Sequence, residues 1–99
     1  MDERRLKGLM GLSVRAGQAV FGEGGCEKAV RGGQAALLLM DDGISPASAE
    51  KLERACSREG VPLMRLRAGL LAEATGRPGR VMALRPGAFA DQIRAAAES

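Results

Sequence analysis

The sequence predicts an α/β fold, a three-layer α/β/α sandwich with a small mixed sheet of about four strands. Segments with helical spacing of apolar residues alternate with short apolar runs along all 99 residues. This order places helices on both faces of a sheet. Glycine and proline punctuate the segments, and no linker or low-complexity stretch interrupts them. We therefore expect one domain, residues 1–99, that folds without disulfides or metal.

The first third of the chain predicts two helices joined by a short strand. Apolar residues recur at helical spacing over Asp2–Arg15, and Gly17 follows as a stop. Ala19–Phe21 is the predicted strand. The second helix runs from about Glu23–Val30 and ends at the glycine pair 32–33.

The centre of the chain predicts two strands around a third helix. Ala35–Met40 is continuously apolar, which is typical of a strand buried on both faces. Ser45 and Pro46 begin the helix, because serine is a preferred N-cap and proline suits the first helical position. Gly60 ends that helix, and Val61–Leu66 is the next strand.

The last third predicts a short helix, a strand and a closing helix. Leu70–Thr75 forms the short helix and Gly76 ends it. After the turn at 77–79, Arg80–Leu84 is the fourth strand. Gly87–Glu98 is the fifth helix, with its apolar residues on one face.

Composition argues against several classes of function. The chain has no histidine, and therefore lacks the commonest general base near neutral pH and any serine–histidine or cysteine–histidine pair. Cys26 and Cys56 are interpreted as free thiols in the core, with a redox or catalytic role as the alternative. Without histidine they are a poor zinc site. We expect no enzymatic activity, no cofactor and no metal.

The charged residues point to an anionic partner. The net charge is +3, and arginine outnumbers lysine twelve to three. Guanidinium groups bind phosphate bidentately, although a GC-rich genome would favour arginine equally well. Residues 1–7 lack the apolar core of a signal peptide, and no run approaches a membrane span of about 18 apolar residues. We therefore expect a cytoplasmic protein without a membrane partner.

The glycine-rich turn at Gly22–Gly25 is the strongest candidate site. A turn that opens a helix exposes backbone N–H groups, and the helix dipole attracts anions to that end. Lys28 and Arg31 add positive charge to the same helix. The turn lacks the ending of a phosphate-binding P-loop and the last glycine of a dinucleotide motif. Nucleic acid is therefore the leading ligand.

Asp41 and Asp42 follow the apolar central strand, where α/β sheets often place metal or substrate ligands. No third carboxylate and no base is evident nearby in the sequence. We therefore favour a polar turn that leads into the third helix.

Eight stretches match a known family in order and spacing: 12–18 (LSVRAGQ), 22–23 (GE), 28–39 (KAVRGGQAALLL), 41–42 (DD), 61–62 (VP), 70–76 (LLAEATG), 80–81 (RV) and 86–90 (PGAFA). Together they resemble the kink-turn RNA-binding ribosomal protein superfamily, especially its small bacterial YlxQ-like branch. The match covers essentially the whole chain. It implies the same α/β/α sandwich and binding of RNA at a sharp bend beside sheared G·A pairs.

The family motif at the start of the second helix is Gly-x-Asn-Glu-x-x-Lys. On this chain its first glycine is Gly22, its asparagine position is Gly24, its glutamate position is Gly25 and its lysine is Lys28. The family's asparagine and glutamate bind base edges, which glycine side chains cannot do. Glu23 substitutes for the missing glutamate only if the turn shifts.

The resemblance places a second contact in the loop before the last strand. The family has an apolar loop there, whereas residues 77–81 are basic, which favours phosphate contacts over packing on a base. The residues expected to bind RNA are therefore Gly22, Glu23, Gly24, Gly25, Lys28, Arg31, Arg77, Arg80 and Val81.

From these observations we expect a monomeric, non-enzymatic protein that binds a kink-turn or ribosomal RNA, with the ribosome as a further partner. One alternative is a protein-interaction module on the same fold that has lost tight kink-turn binding. A third interpretation is a small-ligand or nucleotide-binding domain that uses Gly22–Gly25 and Asp41.

Overall fold

A computed structural model describes all 99 residues, which form five helices and four strands in alternation. The helices are α1 (Glu3–Arg15), α2 (Glu23–Arg31), α3 (Pro46–Glu59), α4 (Leu70–Thr75) and α5 (Ala88–Glu98). The strands are β1 (Ala19–Phe21), β2 (Leu37–Asp41), β3 (Leu63–Leu66) and β4 (Val81–Leu84). The predicted α/β sandwich is confirmed, and each predicted element is found within two residues at either end. None of the helices is long and apolar enough to cross a membrane.

The sheet is mixed, with the strand order β1-β4-β2-β3. The pair β2–β3 is parallel, whereas β4 runs antiparallel to both β1 and β2. The last strand of the chain therefore lies between the first two. This insertion brings the loop before β4 next to the end of β1, where α2 begins.

The core consists of two apolar layers, one on each face of the sheet. Successive residues of a strand point to opposite faces, so β2 and β4 contribute to both layers. Helices α1, α4 and α5 pack on Leu37, Leu39, Met82 and Leu84. Helices α2 and α3 pack on Leu38, Met40, Val81 and Ala83. Burial on both faces explains why residues 37–40 of β2 are all apolar.

Local sequence sets the ends of α3. The Ser45 hydroxyl accepts the N–H of Ser48 at 3.3 Å, and Pro46 occupies the first helical position. Gly60 ends the helix with φ 71°, a left-handed conformation that glycine adopts without steric cost. Both predicted helix signals are confirmed.

Both cysteines are unpaired core residues. Burial raises the pKa of Cys26 to about 12 and that of Cys56 to about 11. The Cys26 thiol donates to the carbonyl of Val20 at 3.3 Å. Since the thiolate is the reactive species, both thiols are protonated and unreactive at neutral pH. The interpretation as structural thiols is favoured over a redox role.

A network of charged side chains joins α1 to α4. The Arg67 guanidinium contacts Glu3 Oε1 through Nη2 at 2.6 Å and Glu73 Oε2 through Nη1 at 2.9 Å. Lys7 Nζ lies 3.3 Å from Glu73 Oε1. Hydrogen bonding to Arg67 lowers the pKa of Glu73 to about 2 and also lowers the pKa of Glu3. In turn, hydrogen bonding to Glu73 and Glu3 raises the pKa of Arg67.

This network should weaken in acid. A carboxyl whose folded pKa lies below its usual value of 4.5 stabilises the protein above that pH, and the contribution disappears as the pH falls through the folded pKa of about 2. Between pH 4.5 and 2, the thermal midpoint of the wild type should therefore fall more steeply than that of Glu73→Gln. Circular dichroism melts across this range measure the difference.

The exposed Glu50, which forms no ion pair, supplies the control. Glu50→Gln should keep the wild-type dependence on pH. High salt should reduce the difference between the wild type and Glu73→Gln, because the network is partly exposed to solvent. If the thermal midpoints of the wild type and Glu73→Gln fall in parallel with pH at low salt, the network does not contribute to the stability of the protein.

Candidate nucleic-acid interface

Three segments that are distant in sequence meet at one end of the sheet, around an open cavity of about 440 Å³. The first is the start of α2, the second is the turn from β2 into α3, and the third is the loop before β4. The residues that line the cavity are Gly22, Glu23, Gly43, Ile44, Ser45, Ser48, Pro78, Gly79, Arg80 and Val81. We call this space the interface cavity. The basic loop therefore lies beside the glycine-rich turn.

The beginning of α2 presents unpaired backbone donors. Gly22 is the N-cap, with φ 85°, a conformation that L side chains rarely adopt. The first helical hydrogen bond runs from Cys26 N–H to the Gly22 carbonyl at 2.9 Å. The N–H groups of Glu23, Gly24 and Gly25 consequently have no backbone acceptor, and the helix dipole favours an anion beside them.

The two glycines at the asparagine and glutamate positions of the motif have room for side chains. Neither Gly24 nor Gly25 has positive φ. A Cβ at Gly24 would meet no atom within 4 Å, and one at Gly25 would lie 3.4 Å from Val20 Cγ1. Both positions are exposed. The backbone there does not require glycine, in contrast to Gly22.

The Glu23 carboxylate is engaged by side chains of α3. Its Oε2 accepts the hydroxyl of Ser48 at 2.7 Å, and its Oε1 lies 3.9 Å from Lys51 Nζ. The carboxylate therefore links α2 to α3. Helix α2 begins at Glu23, and the turn is not shifted toward the position of the missing glutamate.

The cations of α2 differ in their availability. Arg31 forms an ion pair with Glu27 at 3.0 Å, and Lys51 approaches the same carboxylate at 3.4 Å. Lys28 is exposed and forms no ion pair. Of the two α2 cations predicted to bind RNA, Lys28 is therefore free of ion pairs, whereas Arg31 pairs with a carboxylate of its own helix.

The loop before β4 supplies two further cations. The Arg77 guanidinium lies 4.5 Å from the ring centroid of Phe21, a cation–π contact. Arg77 is exposed and forms no ion pair with a carboxylate. Arg80 Nη1 lies 3.4 Å from Asp41 Oδ1, and the Arg80 side chain is 59% exposed. Because Phe21 directly precedes Gly22, its contact with Arg77 holds the loop against the start of α2.

Val81 departs from the sequence-based expectation. Its side chain is only 2% exposed and packs in the layer formed by α2 and α3. It is the first residue of a central strand, and the pleat directs its side chain into the core. Val81 lines the cavity with only a small exposed surface, and its contact with RNA stays a prediction.

The sequence indicated a polar turn at Asp41 but not the contacts of its carboxylate. Its carboxylate is buried, and its partners Gly69 and Arg80 lie 28 and 39 residues further along the chain. The available signal was an aspartate directly after an apolar strand, which does not identify its partners. No group of three or more His, Cys, Asp or Glu side chains is arranged to hold a metal ion.

Many solved structures share this architecture, among them these two. A protein of unknown function from Bacillus halodurans superposes with a TM-score of 0.90 at 26% sequence identity, over 96% of this chain and 98% of that chain. A 15.5 kDa RNA-binding protein from Giardia lamblia superposes with a TM-score of 0.79 at 20% identity, over 96% and 83% of the respective chains. These likenesses establish the fold. No protein-family model matches the sequence, and no curated protein does.

Proposed function

We propose that this protein binds structured RNA through the start of α2 and the loop before β4. The observation that carries the proposal is that the loop before β4, with Arg77 and Arg80, lies beside the three unpaired N–H groups at the start of α2. Lys28 of the same helix is exposed and forms no ion pair. Cations and oriented N–H groups are the donors that bind phosphate oxygens. The fold shared with an RNA-binding protein from Giardia lamblia supports RNA as the ligand.

The resemblance of the sequence to the kink-turn superfamily supports a bent RNA as the target. The absence of side chains at Gly24 and Gly25 leaves backbone N–H groups and flanking cations as the donors at this surface. Recognition then depends on RNA shape and backbone geometry, with weak readout of bases. We further propose that the protein acts as a cytoplasmic monomer in a ribonucleoprotein particle, with ribosomal RNA as a candidate target. Nothing in the proposal requires catalysis.

A charge substitution tests this proposal. The logarithm of the affinity for a kink-turn duplex should fall linearly with the logarithm of the salt concentration, with a slope of about 0.9 or less per neutralised phosphate. Lys28→Ala should reduce that slope by about one unit, because it removes one phosphate contact. Electrophoretic shifts at several salt concentrations measure both slopes.

The control removes the same unit charge from the other side of the sheet. Arg94 lies on α5 and pairs with Glu98 at 2.6 Å. Arg94→Ala should leave the slope unchanged. An unchanged slope for folded Lys28→Ala would exclude Lys28 from the interface.

One observation favours a second function. The two side chains that read base edges in the resembling family are absent here, as expected for a protein-interaction module on the same fold. Failure of the wild type to shift kink-turn and ribosomal RNA at low salt would favour this module. The third interpretation, in which Asp41 holds a small ligand, is not supported, since Asp41 is only 1% exposed and already accepts three hydrogen bonds.

A further inference from the structure

The buried carboxylate of Asp41 joins three separate segments beside the interface cavity. Oδ1 accepts the N–H of Gly43 at 2.6 Å, and Oδ2 accepts the N–H of Gly69 at 2.9 Å. Oδ1 also lies 3.4 Å from Arg80 Nη1. The backbone N–H of Asp41 donates to the carbonyl of Arg80 at 2.8 Å. Side chain and backbone therefore both fix Arg80 relative to the end of β2.

The Arg80 guanidinium lies directly over Gly43. A Cβ at Gly43 would be 2.6 Å from Arg80 Nη1, 3.1 Å from Arg80 Cζ and 2.9 Å from Asp41 Oδ1. Contacts below about 3.0 Å force a displacement, and the group that can move is the flexible end of the exposed Arg80 side chain. Gly43 does not have positive φ. A side chain at position 43 would therefore displace the Arg80 guanidinium without straining the backbone.

We propose that Asp41 is a positioning residue that holds the Arg80 guanidinium at the cavity mouth, oriented for an RNA phosphate. A guanidinium carries five N–H donors in a fixed plane, and Asp41 engages only Nη1, so the side chain retains donors for a second anion. The Asp41 carboxylate also accepts the N–H groups of Gly43 and Gly69, so its negative charge is distributed over three donors. Asp41 therefore restrains the Arg80 side chain without fully neutralising its positive charge. The inference rests on the proposed RNA-binding function.

A double-mutant cycle tests this role. Arg80→Ala should weaken binding of a kink-turn duplex by about tenfold, which corresponds to the loss of one charge-assisted hydrogen bond, and should reduce the salt slope by about 0.9. Asp41→Asn should weaken binding and flatten the slope in the same way. In the Arg80→Ala background, Asp41→Asn should change neither quantity. A purely structural effect would not depend on whether Arg80 is present.

The neighbouring Asp42 provides a matched control for the lost charge. It is exposed and pairs with Arg65 at 2.8 Å, away from Arg80. Asp42→Asn removes the same negative charge and should not weaken binding. Tighter binding by Asp41→Asn than by Asp42→Asn would show that Asp41 competes with phosphate for Arg80, which overturns the proposal.

Gly43→Ala keeps both charges and covers the case in which Asp41→Asn does not fold. Its methyl group should displace the guanidinium and weaken RNA binding, with no effect in the Arg80→Ala background. Gly8→Ala, at an open position on α1, is the control and should leave affinity unchanged. Wild-type affinity in folded Gly43→Ala, or equal losses in both backgrounds, would overturn the positioning role. Absence of RNA binding by the wild type would instead refute the proposed function itself.

Discussion

Leu38→Ala is expected to destabilise the protein by about 2–5 kcal/mol. Leu38 is the second residue of β2, between Ala83 of β4 and Leu63 of β3, and its side chain has no solvent exposure. It packs in the layer formed by α2 and α3. Removing its three outer carbon atoms loses their transfer free energy and leaves a cavity, because helices on one side and a sheet on the other cannot collapse freely.

Chemical denaturation measures this loss as the change in the free energy of unfolding. Leu12→Ala makes the same chemical change on α1, where the side chain is 47% exposed, and should shift stability by about 0.5 kcal/mol or less. A loss below about 1 kcal/mol for Leu38→Ala would contradict the placement of this strand in the core. The ratio between the two variants separates burial from a general effect of leucine removal.

The second large effect is expected in RNA affinity: Gly24→Asn combined with Gly25→Glu should tighten binding to a kink-turn RNA. These changes place the polar groups of the resembling family at the two exposed positions in the first turn of α2. Neither position has positive φ, and the nearest contact of a new Cβ is 3.4 Å, so the turn accommodates both side chains. Each good polar contact to a base discriminates by about 1–3 kcal/mol, which is about tenfold or more in affinity.

The gain should be confined to RNA with intact sheared G·A pairs. The same RNA with Watson–Crick pairs in their place should gain little, because the added carboxylate also repels phosphate. Gly24→Ala combined with Gly25→Ala supplies the control, since it raises helix propensity without adding polar groups. Thermal unfolding establishes that each variant is folded. A folded variant that binds both RNAs as the wild type does would move the protein-interaction module ahead of RNA binding.

The secondary structure was predictable because its signals are local. Helix α3 begins after Ser45, because serine is a preferred N-cap, and ends at Gly60, because glycine adopts the left-handed conformation that terminates a helix. The continuous apolar run in β2 identified a strand buried on both faces. Each of these signals depends on residues within one or two turns of each other. The sandwich followed from the alternating order of the elements.

The strand order was not predictable in this way. The sequence is compatible with several arrangements of four strands, and the choice of β4 between β1 and β2 depends on pairings such as Phe21 with Met82 and Leu39 with Met82. Those residues are about forty or more positions apart in the chain. Only the fit of all helices on both faces of one sheet selects among such long-range pairings.

The candidate interface was likewise predictable only in part. Gly22 and Lys28 were recognisable from the sequence as parts of an anion-binding helix start, and the basic character of residues 77–80 was evident. Their proximity was not, because it results from the insertion of β4 beside β1. The sequence also did not indicate that Ser48 of α3 binds the Glu23 carboxylate or that Val81 is buried in the core.

The sequence alone thus determined the elements, their order and the chemical character of the glycine-rich helix start, since these depend on backbone preferences and on periodicity over a few residues. The tertiary structure alone decided which cations are free. Glu23 and Glu27 contact Ser48, Lys51 and Arg31, whereas Lys28 forms no ion pair. Arg80 is restrained because Asp41 lies across the strand junction. Charges act through space at distances of a few ångströms, and folding determines which of them come that close.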